Sequence, residues 1–356
     1  MHVQDLLRSQ GLAGLVPLGI NVREYPDRVT LNYDMIESPK HDPVVKECRA
    51  LILRKGDWSV LARSFDRFYN EPEDPNRKEF DWRSALIEEK VDGSLMSVYH
   101  DGVDWQVATR SMAYAEGITP FGMTFADIFW SIRTRDLFRM YNEDYTFVFE
   151  MVSPETRVIT PYPKRGVCLL TVRNRKTGIE LDTKKLDDLA IVLSARQPRS
   201  YSVTSLQDLI EMSKSLPAME EGYVARVQTD AGWWRIKVKN PSYLAIAHLR
   251  NNGVLSIPRV VALVLANDEE EYLGYFPEDR HVFEPFIRAR VKMYTEIQHL
   301  WELCKDKVEQ KDFALTVSSF MCAGILFQMR KGSTAGDAIS RMTDAAKERL
   351  LLSYKV

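Results

Sequence analysis

Alternation of hydrophobic and polar positions is the main pattern in the first two thirds of the chain, and it predicts short strands. Residues 86–112 contain two alternating runs separated by Asp101-Gly102, a pair typical of hairpin turns. Strands are also predicted at TFVFEMVS (146–153), VCLLTVRN (167–174), GYVARVQ (222–228) and WWRIKVK (233–239). Helices are predicted near 121–141 and 205–213. This mixture indicates an α+β domain built on antiparallel sheet.

Beyond residue 240 the hydrophobic positions change to the period of a helix face. Steps of three and four residues connect Ile287, Val291, Tyr294, Ile297, Trp301, Cys304 and Val308. Helices are also predicted over 314–330 and 335–354, separated by Lys331-Gly332-Ser333. We therefore place a domain boundary near residue 245, which gives an α+β domain of residues 1–245 and an all-α domain of residues 246–356.

The composition is typical of a globular protein and excludes a strongly basic protein that coats nucleic acid. Of 356 residues, 45% are hydrophobic and 28% are charged, and the formal net charge is −2. A nucleic-acid site must therefore be a local groove. The four cysteines, none at CxxC spacing, give no zinc signature and are typical of reduced thiols. The first residues do not resemble a signal peptide and the apolar runs are too short to cross a bilayer, so we expect a cytoplasmic protein without a membrane partner.

Lysine and glutamate residues at strand ends are the strongest chemical candidates. Lys90 ends a strand-like run, Glu150 ends an apolar strand, and Glu221 precedes a further strand. Lys237 and Lys239 are two apart in a strand and therefore share one face, with apolar neighbours on the other. Taken one at a time, each of these residues is more typical of a solvated surface position than of a catalytic one.

Together, the five residues have a chemical logic that fits nucleotidyl transfer. An amine must lose its proton before it attacks phosphorus, and the pKa of a free lysine is about 10.4. Burial and the neighbouring cations Lys237 and Lys239 are expected to lower the pKa of Lys90. The same two lysines can stabilise charge on a phosphate, and Glu150 and Glu221 can hold a hard divalent cation.

A series of segments, in one order along residues 30–245, resembles the motifs of a known family. The segments are Glu47-Cys48-Arg49-Ala50-Leu51, Phe65-Asp66-Arg67-Phe68-Tyr69-Asn70, Glu89-Lys90-Val91-Asp92-Gly93-Ser94, Thr109-Arg110-Ser111, Phe149-Glu150-Met151-Val152, Glu221-Gly222-Tyr223-Val224 and Lys237-Val238-Lys239. The third segment resembles the KxDG signature of covalent nucleotidyltransferases, which include ATP-dependent ligases and mRNA capping enzymes. The whole series is most similar to the phage-type RNA ligase 1 family.

Several positions depart from the pattern of that family. Arg67 and Arg110 stand where the family has lysines, Tyr69 replaces a phenylalanine, and Ser111 replaces a glycine. Positive charge and aromatic character are retained. Because arginine is a planar fork and lysine a point charge, the departures affect phosphate geometry and substrate preference more than the reaction itself.

The resemblance implies a fold, a reaction and a role for each matching residue. The implied fold is an antiparallel-sheet nucleotidyltransferase domain of the ATP-grasp-like ligase type, followed by an all-α C-terminal domain. Lys90 would carry AMP derived from ATP, while Lys237 and Lys239 would hold the α-phosphate. Glu150 and Glu221 would place Mg²⁺ or Mn²⁺. Further nucleotide or phosphate contacts are expected from Arg49, Arg67, Glu89, Gly93, Arg110, Glu150 and Glu221.

The implied partner is RNA with 5′-phosphate and 3′-hydroxyl ends, either single-stranded or in a tRNA anticodon loop. The implied enzyme is a monomer that repairs RNA in the cytoplasm, which is the host cytoplasm if the protein is encoded by a phage. One alternative is a DNA ligase or a GTP-using capping enzyme, although the helical pattern after Lys239 does not resemble the OB-fold that usually follows in DNA ligases. The other alternative is a non-catalytic RNA-binding protein on a decayed ligase scaffold. The retention of all five central residues argues against decay.

Overall fold

A computed structural model describes residues 1–249 and 255–355, and the chain divides into two compact units, Met1–Ala245 and Ile246–Val356. The strands are β1 Ile20–Glu24, β2 Arg28–Tyr33, β3 Leu51–Arg54, β4 Val60–Ala62, β5 Tyr69–Asn70, β6 Leu86–Glu89, β7 Ser94–His100, β8 Trp105–Ala108, β9 Tyr145–Val152, β10 Gly166–Asn174, β11 Ser200–Tyr201, β12 Gly222–Thr229 and β13 Gly232–Lys239. The α-helices before residue 240 are α1 His2–Gln10, α2 Pro43–Glu47, α3 Phe125–Ile132, α4 Thr183–Val192 and α5 Leu206–Lys214. The later helices are α6 Pro241–Leu249, α7 Ile257–Ala266, α8 Glu269–Tyr275, α9 Arg280–Cys304, α10 Gln310–Val317, α11 Ala323–Arg330, α12 Ala335–Ser340 and α13 Asp344–Ser353.

Three sheets form the framework of the first unit. Their strand orders are β1-β2-β3-β4, β10-β9-β7-β8 and β11-β6-β12-β13-β5. The pairs are antiparallel except for β13 with β5, which is parallel. The prediction of an α+β domain with antiparallel sheet, followed by a helical region, is therefore confirmed.

The strands predicted from alternation are all present. The hairpin of β7 and β8 pairs His100 with Trp105, and its turn is closed by the Asp101 carboxylate, which accepts hydrogen bonds from the Val103 and Asp104 amides. In β13, Ile236 is 0% exposed, and the core that it shares with Val238 and with α5 residues covers one face of the third sheet. The opposite face of β13, which carries Lys237 and Lys239, is therefore not covered by this core.

The link from β6 to β7 carries the chain from the third sheet to the second. The β6 residue Glu89 pairs with Tyr223 of β12, whereas Ser94 of β7 pairs with Met151 of β9. The Lys90 amide donates a hydrogen bond to the Gly222 carbonyl at 2.8 Å. Residues 90–93 therefore lie where the two sheets meet, and both sheets fix the position of Lys90.

The predicted helices differ from the observed ones in length and in buried face. The predicted helix at 121–141 is limited to α3, which begins at its N-cap Thr124, and a 3₁₀ turn at Arg135–Phe138. The predicted helix 205–213 corresponds to α5, which is capped by Ser205. The predicted helices 314–330 and 335–354 are each two helices, and Thr343 caps the start of the last one.

The predicted apolar face of the long helix is only partly right. Val308 lies beyond the end of α9 and is 88% exposed, and Val291 is 60% exposed. The buried residues of α9 are Phe283, Phe286, Ala289, Met293, Ile297, Leu300 and Cys304. The buried side of the helix is therefore an apolar stripe that begins one turn earlier, at Phe283. In the described residues, no helix is long and apolar enough to cross a membrane.

Candidate active site

Lys90 and Lys239 share one buried carboxylate. The Lys90 ammonium donates a hydrogen bond to Glu221 Oε2 at 2.7 Å, and Lys239 Nζ lies 3.0 Å from Glu221 Oε1. The next residue, Gly222, has a φ of +132°, and a Cβ there would lie 2.3 Å from the Val238 carbonyl oxygen. Glycine is required at this position, and the close approach that it permits brings Glu221 beside Lys239.

The pKa of Lys90 is shifted in the direction opposite to that expected for an amine nucleophile. Burial lowers the pKa of Lys90, but Glu221 and Glu150 outweigh burial, so the pKa lies above its usual value. The expected lowering of the Lys90 pKa is therefore wrong for the ligand-free protein, because the nearest charge is an anion. Burial raises the pKa of Glu221, but Lys90 and Lys239 reverse the shift and the pKa is lowered.

Glu150 is the second acid of the site and has a different state. Burial raises its pKa to about 8, and the negative charges of Glu221 and Asp92 oppose the attraction of Lys90 and Arg49. The carboxyl lies on β9, whose residue Glu150 pairs with Leu95 of β7. Near neutral pH this carboxyl is largely protonated, unlike Glu221.

Lys237 faces the same side of β13 as Lys239 but has no anionic partner. Its ammonium lies 4.6 Å from the centre of the Phe68 ring, and it forms no ion pair with any residue that the structure describes. Burial, together with Arg49, Lys90 and Lys239, lowers the pKa of Lys237 well below its usual value. Charging a half-buried amine without a counter-charge costs free energy, and an incoming anion would remove that cost.

Arg49 lies near Lys237, and Arg67 and Arg110 lie on the Tyr33 ring next to Arg49; we call Arg49, Arg67, Arg110 and Lys237 the cationic cluster. The Arg49 guanidinium lies 4.9 Å from the same Phe68 ring, and burial lowers its pKa. Arg67 and Arg110 lie 4.1 Å and 4.8 Å from the ring centre of Tyr33. Arg110 also donates to Asn32 Oδ1 at 2.9 Å.

The cationic cluster has unused hydrogen-bonding capacity. In the described residues, Nη1 of Arg49 and Nη1 of Arg67 are buried and have no hydrogen-bond partner, and no cluster member pairs with a carboxylate. Buried donors of this kind are normally satisfied. The simplest chemical complement is a polyanion with several oxygen acceptors, such as a phosphate chain.

Two further predicted residues have roles that differ from the expectation. The Glu89 carboxylate pairs with Arg196 at 3.2 Å and with Arg199 at 3.0 Å, outside the contacts centred on Lys90. At Gly93, a Cβ would lie 2.4 Å from the Met151 carbonyl oxygen. The glycine therefore allows β7 to approach β9, whereas the expected reason was approach to a nucleotide.

Asp92 and Tyr243 form a contact that the sequence patterns did not predict. The Asp92 carboxylate is buried and accepts hydrogen bonds from the amides of Ile159 and Thr160, at 2.9 and 2.7 Å, and from the Tyr243 hydroxyl at 2.8 Å. Tyr243 belongs to α6, four residues after Lys239. Asp92 thus joins the Lys90 loop to the segment after β13.

The two glutamates fit a divalent cation only in combination with other oxygen ligands. No group of three or more His, Cys, Asp or Glu side chains suited to a metal occurs within residues 1–249 and 255–355. Mg²⁺ is commonly held by one or two carboxylates together with water and substrate phosphates. Glu150, for which no ion pair is seen in the described part of the chain, and Glu221 supply such a pair of hard oxygen donors.

The sheets that meet at Lys90 and the lysines beside it are those of a ligase-type nucleotidyltransferase fold. A family model described as RNA ligase, of the phage T4 type, matches residues 47–243, and the chain therefore belongs to the RNA ligase family. All of the site residues named above lie within that match, apart from Asn32 and Tyr33 of β2.

Comparisons with individual proteins agree with this membership. The chain is 29% identical over 312 residues to a putative bifunctional polynucleotide kinase/RNA ligase of Autographa californica nuclear polyhedrosis virus, covering 82% of this chain and 44% of that protein. It is 26% identical over 327 residues to an RNA ligase of Rhodothermus phage RM378, covering 73% and 72% of the two chains. The chain thus spans less than half of the first relative.

A solved structure shares the fold. An archaeal ATP-dependent RNA ligase superposes with a TM-score of 0.50 at 13% identity, over 93% of this chain and 80% of that chain. At this identity the likeness concerns the fold alone. It confirms the predicted fold class.

Proposed function

We propose that the protein is an ATP-dependent RNA ligase that joins RNA 5′-phosphate and 3′-hydroxyl ends. The observation that carries the proposal is the pairing of Lys90 with Glu221 beside a cationic cluster that lacks counter-charges. A primary amine next to unpaired, buried cations is suited to attack on a polyphosphate. Membership of the RNA ligase family supports RNA as the substrate.

In the first step, Lys90 Nζ forms a bond to the α-phosphorus of ATP and the bond to pyrophosphate breaks. Lys90 must release a proton, and Glu221 Oε2 at 2.7 Å is the acceptor that the geometry offers. Lys237 and Lys239 hold the α-phosphate. The negative charge of the phosphate provides Lys237 with an anionic partner. Arg49, Arg67 and Arg110 bind phosphates of ATP or of the RNA end.

Mg²⁺ or Mn²⁺ would be held by Glu150 and Glu221 together with oxygens of ATP and water, and it supplies positive charge next to the phosphates. In the second step AMP moves from Lys90 to the RNA 5′-phosphate. In the third, the 3′-hydroxyl attacks that phosphate and AMP leaves.

The two units would divide this work. Residues 1–245 form the adenylyltransferase domain, and residues 246–356 select the RNA, for which a tRNA anticodon loop is a suitable shape. The helical domain holds equal numbers of basic and acidic residues, so selection there depends on shape and on local contacts. The enzyme acts as a monomer in the cytoplasm during RNA repair.

Labelled ATP tests the proposal directly. Protein incubated with α-labelled ATP and Mg²⁺ should acquire one AMP per chain, and addition of 5′-phosphorylated single-stranded RNA should release the label and join the ends. Lys90→Ala should take up no label but should still seal RNA that is already 5′-adenylated. GTP in place of ATP, and DNA in place of RNA, should give little product. Label uptake from GTP would favour a capping-type enzyme, and absence of any uptake would favour a non-catalytic protein.

A further inference from the structure

A cavity of about 830 Å³ adjoins the cationic cluster and shares Arg67 with it. It lies between β5, the turn at residues 228–232 that joins β12 to β13, and the segment 177–180 after β10. Lys90, Glu150 and Glu221 do not line it. The cavity is therefore distinct from the contacts centred on Lys90, and Arg67 connects it to the cationic cluster.

The end of the cavity near the cluster carries positive charge that is only partly neutralised. Arg67 is 5% exposed, and its Nη1 has no partner in the described residues. Arg63 lies 3.3 Å from Asp66, but that carboxylate forms shorter contacts of 2.9 and 3.0 Å with Arg173. Nε of Arg63 is also buried without a partner, and the exposed Lys46 forms no ion pair in the parts of the chain that are described.

Trp233 provides a flat, fixed surface in the same cavity. The buried Arg226 guanidinium lies 4.3 Å from the centre of its ring and is anchored to Glu88 at 2.7 Å. The neighbouring Trp234 is held in place by its own hydrogen bond, because its indole N–H donates to Asp74 Oδ2 at 3.0 Å. Trp233 is half-buried and packs against Arg226 on one side. Another aromatic ring could stack on its other side.

The other charged residues that line the cavity argue against a ligand that carries only negative charge. Arg235 and Glu180 form a buried pair at 2.5 Å, and the exposed carboxylates of Glu79 and Asp230 also line the cavity. A ligand that carries only negative charge would meet repulsion there. A ligand with a phosphate at one end and an uncharged aromatic ring at the other would meet a complementary group at each end.

We propose that this cavity is a subsite for single-stranded RNA, in which a base stacks on Trp233 and a phosphate is held by Arg67, Arg63 and Lys46. Aromatic side chains and arginines are the usual means by which proteins hold unpaired nucleotides. The volume is near the upper end of the roughly 300–1,000 Å³ of small-ligand pockets, which is more than a phosphate alone requires. The inference rests on the proposed RNA ligase function and adds to it the path of the RNA beyond its reacting end.

The test compares Trp233→Leu and Trp233→Phe with a matched control, Trp130→Leu. Trp130 is also half-buried and has a guanidinium, that of Arg135, 5.2 Å from its ring centre, but it does not line the cavity. Melting temperature is measured first for each protein. Uptake of AMP from ATP is then compared with transfer of AMP to 5′-phosphorylated oligoribonucleotides, and RNA binding is measured separately by fluorescence anisotropy.

Trp233→Leu should take up AMP at the wild-type rate but raise the Kd and KM for oligoribonucleotides about fivefold to a hundredfold, the range expected for loss of one stacked base. Trp233→Phe should recover most of this loss, and Trp130→Leu should bind RNA like the wild type. Unchanged RNA binding by Trp233→Leu would overturn the proposal. So would an equal loss of AMP uptake, which would assign the cavity to ATP or pyrophosphate. Because anisotropy needs no lysyl-AMP, absence of adenylation in the wild type would contradict the proposed function without deciding this subsite.

Discussion

Lys237 forms no ion pair with any of the described residues, and this separates it from Lys239. Lys239 pairs with Glu221 at 3.0 Å, whereas Lys237 contacts the Phe68 ring and has a pKa lowered by burial and by Arg49. Lys237→Met should therefore leave the melting temperature unchanged or raised, because it removes a half-buried amine whose charged form is disfavoured by its surroundings. Its adenylation rate should fall a hundredfold or more, which corresponds to about 2.7 kcal/mol.

Lys239→Met is the matched control for Lys237→Met. It also slows adenylation, but it leaves Glu221 with Lys90 as its single close cation, so it should melt below the Lys237 variant. Stopped-flow or quenched measurements of lysyl-AMP and thermal melts provide both readouts. Near-normal adenylation by Lys237→Met would show that this lysine does not contact phosphate.

The pKa of Glu150 predicts how stability depends on pH. Because burial raises the pKa to about 8, the folded protein binds this proton more tightly than the unfolded chain does. The resulting stabilisation is complete below the unfolded pKa of 4.5 and is lost as pH rises through 8. Glu150→Gln, which mimics the protonated acid, should remove that loss. The gain over wild type at pH 8, relative to pH 5, has an upper bound of roughly 3–4 kcal/mol.

Glu155→Gln is a control of opposite sign for this experiment. The hydrogen bond from Arg165 lowers the pKa of Glu155, so its contribution is present above pH 4.5 and is lost as pH falls. Urea denaturation at pH 5 and pH 8 should therefore show Glu150→Gln gaining stability relative to wild type as pH rises. Glu155→Gln should differ from wild type by nearly the same amount at both pH values, because the Glu155 contribution is already present at pH 5 and is lost only below it. A Glu150 variant with the wild-type pH dependence would contradict the raised pKa.

At the residue scale, the sequence predicted which groups meet but not their charge states. The order of motifs correctly indicated that Lys90, Glu221 and Lys239 lie together. The pKa of Lys90 was predicted in the wrong direction, because it depends on a hydrogen bond across 131 positions of the chain. The contact of Asp92 with Tyr243 spans 151 positions and has no local pattern to reveal it.

At the scale of elements, the strand patterns were a better guide than helical period. β9, β10 and β12 are buried at most of their positions and read as apolar runs, whereas β13 alternates from Ile236 to Lys239, so all four could be located from sequence. Apart from the 25-residue α9, the described helices of the helical unit are short, and N-caps such as Thr334 and Thr343 set where α12 and α13 begin. A periodic hydrophobic pattern continues across such breaks, which explains why two pairs of helices were predicted as single ones.

The contact of β7 with β9 depends on Gly93. An alanine Cβ would lie 2.4 Å from the Met151 carbonyl oxygen and 3.1 Å from Glu150 Cγ, so one of the two strands must shift. Gly93→Ala should destabilise the protein by roughly 1–3 kcal/mol, the usual cost of overpacking, and should slow adenylation because Lys90 is in the adjoining link. Chemical denaturation and lysyl-AMP formation measure the two effects.

Gly166→Ala, at the start of β10, is the matched control for Gly93→Ala. Its Cβ would meet Val152 Cγ2 at 3.5 Å, an ordinary contact distance. We expect its stability to change by less than about 1 kcal/mol, because nothing has to move. Equal destabilisation by the two variants would show that the close approach at Gly93 is not a special constraint.

At the scale of the whole molecule, the residues to which we assign a chemical role all precede residue 245. They extend from Tyr33 in β2 to Lys239 in β13, and the Tyr243 contact with Asp92 also lies in the first unit. The helical unit contributes none of them, and its basic and acidic residues are equal in number. The composition of the chain excluded a global electrostatic attraction to RNA. It did not indicate where a local groove lies, since the segment of Arg63 and Arg67 is far along the chain from Trp233.

A chain of residues 1–247 tests the division of labour that we propose between the units. It retains Lys90, the cationic cluster and Tyr243, so once circular dichroism shows that it is folded, it should form lysyl-AMP at a rate within about tenfold of the full chain, a difference of roughly 1.4 kcal/mol. It should seal simple single strands but lose any preference of the full chain for a structured tRNA loop, since that preference is assigned to residues 246–356. The full chain, assayed on both RNAs, is the control. A folded 1–247 protein that cannot be adenylated would show that the helical unit is part of the catalytic apparatus, and one that keeps the preference would place RNA selection in the first unit.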